Sequence, residues 1–110
     1  MVRMRFEIVL APGAVRELRA LPSPVRARAR GGIERHLRRE PRKRSKSRIK
    51  RLRGMSRPQF RLRIDDVRVF YDVKDGTVEV LAVISKEQAE SWLDAEGTAD
   101  PGGAAGEGQG

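Results

Sequence analysis

The chain contains no cysteine, one histidine and one tryptophan, and aromatic side chains make up only 5% of its 110 residues. Without thiols, a disulfide framework and a Cys-ligated metal site are excluded, and a reducing cytoplasm is the expected setting. One histidine cannot build a His-based zinc site, and His36 falls on an Arg-rich helical stretch away from any serine it could activate. It is read as an ordinary surface or partly buried residue. The acids are too few and scattered for a Mg²⁺ cage, and no glycine-rich phosphate loop stands between a strand and a helix. No window approaches the ~18 apolar residues of a membrane span. The opening MVRMRFEIVLAPG is too short and too alternating for a secretory leader and reads as a strand.

What the chain has in quantity is positive charge. Its 24 Lys and Arg face 15 acids, for a formal net charge of +9. The last sixteen residues hold three acids and no base, so residues 1–94 carry +12. Between Val25 and Arg63 stand 17 basic residues against only Glu34 and Glu40. Charge concentrated in this way points to a polyanion, or to an acidic protein covering the same surface.

The length fits one modest core. Phe6, Ile8 and Leu10 alternate as a first strand. Ala14, Val15, Leu18 and Leu21 then recur at helical spacing after Pro12. Ser23-Pro24 reads as a cap and first turn for a second helix with the stripe Val25, Ala29, Ile33, Leu37. Gly31-Gly32 opposes that helix by about 1 kcal/mol per glycine, so packing must override it. The run RKRSKS is a charged connector, and Ile49 and Leu52 anchor an extended segment closed by Gly54.

Two alternating strands follow. Phe60, Leu62 and Ile64 fall on one side of the pleat and Arg61 and Arg63 on the other. After an Asp65-Asp66 turn, Val67, Val69, Tyr71 and Val73 oppose Arg68, Phe70 and Asp72. Lys74-Asp75-Gly76 is a turn signal, and VEVLAVI is apolar on both faces, as in a central strand. Ser85 caps a last helix whose apolar edge is Ala89, Trp92 and Leu93. The reading is an α+β fold, β-α-α-β-β-β-α, with two helices on one face of a small, mainly antiparallel sheet. Residues 1–94 form the domain, and the Gly-rich acidic segment 95–110 is expected to be disordered.

Arginines on strands are held in direction by backbone hydrogen bonds, and guanidinium groups bind phosphate through paired hydrogen bonds. Arg61, Arg63 and Arg68 are therefore candidates to stabilise a phosphorane formed by attack of a neighbouring 2′-OH, with no metal and no cofactor. Tyr71, Lys86 and Glu87 are the candidates for proton transfer. Lys46, Lys50, Arg51, Arg53 and Arg57 are candidate RNA-backbone contacts.

The run RLRGMSRPQFRLRIDDVRVFYDVKDGTVEVLAV and the order of elements, over roughly residues 4–94, resemble the RelE/ParE superfamily of bacterial type II toxins. The resemblance implies helices on a curved sheet and one of two activities. RelE-like members cut mRNA in the ribosomal A site without metal and so inhibit translation. ParE-like members poison DNA gyrase. Both are silenced by an acidic antitoxin that folds as it wraps the toxin. Arg61 and Arg63 match the paired basic positions of RelE, and Arg68 matches its phosphate-stabilising arginine. Tyr71 matches an aromatic position weighed here as core. Where RelE has a basic pair and a closing tyrosine, this chain has Lys86-Glu87 and Trp92-Leu93. The leading expectation is a cytoplasmic, ribosome-dependent mRNA endoribonuclease with ribosome and mRNA as partners. The alternatives are a gyrase inhibitor, or a non-catalytic module binding nucleic acid or antitoxin.

Overall fold

The computed structural model describes residues 5–100. Strand β1 (Glu7–Leu10) leads into helices α1 (Pro12–Ala20) and α2 (Ser23–Leu37). Strands β2 (Ile49–Arg51), β3 (Met55–Arg57), β4 (Phe60–Ile64), β5 (Val67–Lys74) and β6 (Thr77–Ser85) follow, then helix α3 (Lys86–Glu96) and the short β7 (Thr98–Ala99). Five strands form one sheet in the order β1-β6-β5-β4-β2, with β1 parallel to β6 and every other neighbour antiparallel. β3 and β7 pair separately.

The pleat sorts the side chains as the alternation requires. Phe60, Leu62, Val67, Val69, Tyr71, Val73, Val78 and Val80 are buried beneath α1 and α2, against Ala14, Leu18, Ala29, Ile33 and Leu37. Between Phe70 and Tyr71 the register with β6 slips, so Ala82 and Val80 face consecutive residues and Leu81 is extra. That bulge lets Val83 return to the helix side while Ala82 and Ile84 take the other face. It is why VEVLAVI reads as apolar on both sides. Tyr71 is fully buried; its hydroxyl donates to the Pro41 carbonyl at 2.7 Å and its ring stacks on Phe60. It is a core residue, and burial pushes its phenol well above the ordinary range.

Both hairpins turn on an aspartate with positive φ, Asp65 at 52° and Asp75 at 55°, a conformation that aspartate tolerates better than most residues. Helix α2 passes through Gly31-Gly32 without interruption. A Cβ on Gly32 would lie 2.6 Å from the Ile64 side chain, whereas one on Gly31 would meet nothing within 4 Å. Gly32 thus allows α2 to close on β4. Arg38 fixes the end of this helix: its guanidinium grips Glu34 through two 2.6 Å hydrogen bonds and donates to the Phe6 carbonyl at 3.0 Å.

Three details depart from the sequence reading. The α2 cap falls on Pro22, so Ser23 is inside the helix and its hydroxyl accepts from Arg26 rather than capping. α3 continues to Glu96 and β7 pairs with β3, so ordered structure extends past residue 94. Residues 101–110, most of the expected tail, lie outside the described residues. The sheet is also covered on both faces. Phe70, Ala82 and Ile84 form a second apolar cluster under α3, where Trp92 stacks on Phe70 at 5.1 Å between ring centroids. The outer face is therefore only partly an open basic platform.

Candidate nucleic-acid interface

Antiparallel register places directly paired residues on the same face of a sheet. Lys50 is opposite Arg61, and Arg61 is opposite Phe70. One row along, Arg63 is opposite Arg68, and Arg68 is opposite Ile84. The Arg63 amide donates to the Arg48 carbonyl at 2.8 Å, which extends the second row to Arg48. Arg61, Arg63 and Arg68 therefore come together on the outer face, as their alternation requires, with Lys50 and Arg48 beside them.

No carboxylate answers this group. Among the described residues none of Arg48, Lys50, Arg61, Arg63 or Arg68 makes an ion pair. Among the described residues the Arg68 guanidinium donates only to the Asp65 and Val67 carbonyls. Arg61 is half-buried, and its Nε–H has no acceptor. Burial first, then the charges of Arg68 and Arg63, pull its pKa below the ordinary guanidinium value. Like charges set directly across a ladder are destabilising, and here two such pairs, Lys50–Arg61 and Arg63–Arg68, lie in adjacent rows. A phosphate between them would relieve that repulsion and supply the missing acceptor.

Arg51 and Arg57 lie elsewhere. Arg51 shares the parity of Ile49 and turns to the helix side, where its guanidinium lies 5.4 Å from the Phe60 ring centroid and donates to the Leu52 and Gln59 carbonyls. Arg57 is held by Asp72 at 3.0 Å and Glu79 at 3.3 Å, at the far end of the outer face. Neither is a free cation beside the arginine cluster. Arg53, between β2 and β3, and Lys46, in the connector, are exposed and make no ion pair among the described residues. Lys86 donates its backbone N–H to Asp66 and holds the Asp66 carboxylate at 3.6 Å through Nζ. Glu87 is exposed in the first turn of α3, and its carboxylate makes no hydrogen bond or ion pair among the described residues. Arg48 went unlisted in the sequence reading, although the Arg48/Lys50 alternation on β2 was a sufficient signal for it.

A family model for the ParE toxin of type II toxin–antitoxin systems, parDE, matches residues 8–90. The chain belongs to that family. It is accordingly a type II toxin, of the RelE/ParE kind. The toxin–antitoxin complex RelBE2 from Mycobacterium tuberculosis contains a chain of similar fold, with a TM-score of 0.58 at 27% identity, covering 74% of this toxin and 99% of that chain. The archaeal RelE–RelB complex from Pyrococcus horikoshii gives a TM-score of 0.57 at 25% identity, over 76% and 97%. The RelB–RelE complex from Methanococcus jannaschii shares the fold at a TM-score of 0.59 and 19% identity, over 77% and 98%. No curated protein matches the toxin significantly by sequence. No helix among its described residues is long and apolar enough to cross a membrane.

Proposed function

We propose that this toxin acts in the cytoplasm as a metal-independent endoribonuclease that cuts mRNA on the ribosome and so stops translation. The observation that carries the reading is the unpaired stack of like charges on the outer face, Lys50–Arg61 beside Arg63–Arg68. Guanidinium groups clustered in this way supply the countercharge that a phosphorane needs. The 2′-oxygen attacks phosphorus, the bond to the 5′-oxygen breaks, and the products are a 2′,3′-cyclic phosphate and a 5′-hydroxyl. In this reading the exposed Glu87 takes the proton of the attacking hydroxyl, and Lys86, which must leave Asp66 to do so, returns one to the departing oxygen. The partner is an antitoxin whose acidic, amphipathic segment orders itself on the basic surface. The toxin–antitoxin complexes that contain the similar folds support this pairing.

Expression in bacteria tests the proposal. Wild-type toxin is expected to halt growth with fragmented mRNA, and the Arg61→Ala/Arg68→Ala double variant to be harmless at equal protein level. Growth arrest by the double variant with intact mRNA would remove the nuclease reading. One observation favours a second reading, inhibition of gyrase. Lys86 is already held by Asp66, and a gyrase inhibitor needs no free proton donor there. A supercoiling assay with purified gyrase separates the two readings.

A further inference from the structure

Outside the arginine face, the largest concentration of unanswered charge follows the C-terminal half of α2. A cleft of about 550 Å³ there is bordered by Arg35, His36, Arg39, Arg44 and Arg48. A second cleft, of about 570 Å³, shares Arg35, His36 and Arg48 with the first and reaches Arg63 on β4. The two form one groove, running from the connector after α2, along the edge of β2, to the rim of the arginine face. Its acids are already engaged: Glu40 with Lys43 at 3.7 Å and Asp65 with Arg28 at 3.0 Å. Arg35, Arg39, Arg44, Arg48 and Arg63 have no carboxylate partner among the described residues.

The cations follow the groove from one cleft to the other. Arg35 lies in the last turn of α2 and Arg39 just past its end, and both border the first cleft. Arg48 and Arg63 are joined across the ladder by the 2.8 Å backbone bond. The lining holds no Phe, Tyr or Trp, so nothing in it offers a stacking platform for bases. Guanidinium groups lined up without aromatics address phosphates and leave sequence unread.

We infer that this groove is a second nucleic-acid site, binding the phosphodiester backbone of a single strand and leading it over the β2 edge to the arginine face. It concerns binding only, and holds whether or not that face cleaves RNA. An acidic peptide is the competing occupant, but the five arginines are spread over α2, the connector, the residue before β2 and β4, and the aliphatic side chains of the lining are only Ala27, Ile49 and Ile64, too few for the apolar face of a helix to bury against.

The test is equilibrium binding of a fluorescent 12-nucleotide single strand to the full chain across a salt series, with RNA and DNA arms. Arg35→Ala/Arg39→Ala/Arg44→Ala should weaken binding at least tenfold. It should also flatten the log K against log salt slope by about 2, since each lost single-strand phosphate contact contributes ~0.7. Lysines at the same positions should restore most of the slope. Arg16→Ala/Arg19→Ala/Arg30→Ala, which removes equal charge elsewhere, should change neither quantity comparably. The lone histidine supplies an independent reading by NMR. Burial, then Arg48 and Arg35, hold His36 below the ordinary imidazole value, so phosphates seated on those arginines should raise it. Either order of RNA and DNA affinity fits a phosphate track and identifies the strand it serves. Equal losses in the two triple variants, an unmoved His36 under saturating oligonucleotide, or displacement of the strand by an equally charged Glu-rich peptide at lower concentration would overturn the inference. Toxicity of the Arg61→Ala/Arg68→Ala variant does not bear on these outcomes.

Discussion

Two buried-edge polar groups show opposite uses of a side chain. The Arg61 Nε–H is buried without an acceptor, beside two further guanidinium charges, an arrangement that disfavours folding and gives an incoming anion a role. Glu17 is structural. Its carboxylate accepts the Val83 N–H at 2.9 Å, satisfying a β6 amide beyond the end of β1, whose last paired residue on β6 is Val80. Desolvation raises its pKa above the ordinary carboxylate value, against the lowering effects of the Val83 bond and of Arg16. The folded state then binds more protons than the unfolded one between the two values, so this group's contribution to stability falls as pH rises through that window. Glu17→Gln keeps an acceptor and removes the titration. Its melting temperature relative to wild type should climb from about pH 4 toward neutrality. Glu17→Ala leaves the Val83 donor unpaired and should cost about 1–2 kcal/mol at pH 7 in chemical denaturation. A wild-type-like pH profile for Glu17→Gln would contradict this account.

At the scale of elements, the adjacent glycines of α2 give opposite expectations. Gly31 opens to empty space, so Gly31→Ala should stabilise the toxin by about 1 kcal/mol through helix propensity. Gly32 sits against Ile64, whose Cδ1 and Cγ1 would lie 2.6 and 2.8 Å from the new Cβ, so relief needs a shift at the stiff χ1 of a β-branched residue and Gly32→Ala should destabilise by about 1–3 kcal/mol despite the same propensity gain. Urea midpoints of the two variants decide it; equal shifts would mean that α2 does not close on β4 as described. The sequence predicts the helix and the conflict within it, but the partner that resolves the conflict is more than thirty positions away. The same limit recurs in the sheet. Alternation alone sorts Phe60, Leu62, Val67 and Val69 from Arg61, Arg63 and Arg68. Phe70 sits at an outward position between Arg68 and Asp72, and that lone apolar residue was the sign of a cover on the outer face. Trp92 and Leu93 supply the cover. The helix-side placement of Arg51 follows from its parity with Ile49, which the sequence shows. Arg57 could not be read, because Asp72 and Glu79 converge on it only through sheet register.

For the molecule as a whole, the charge excess resolves into three zones. Arg57 with Asp72 and Glu79 closes one end of the outer face. α3, with Glu87, Glu90, Asp94 and Glu96 against the single Lys86, caps the apolar middle. A cluster of unanswered cations occupies the remaining end, from Arg68 and Arg61 to Arg63, and passes over the sheet edge to Arg35, Arg39 and Arg44. A net positive charge read from composition says that a polyanion is expected; only the pairing pattern says where. The most direct test of that assignment is the fate of an mRNA bound to purified ribosomes on addition of purified toxin. The account predicts cleavage on the ribosome that leaves 2′,3′-cyclic phosphate and 5′-hydroxyl ends, and that disappears with Arg61→Ala/Arg68→Ala. Intact message at toxin concentrations that block gyrase supercoiling would contradict it.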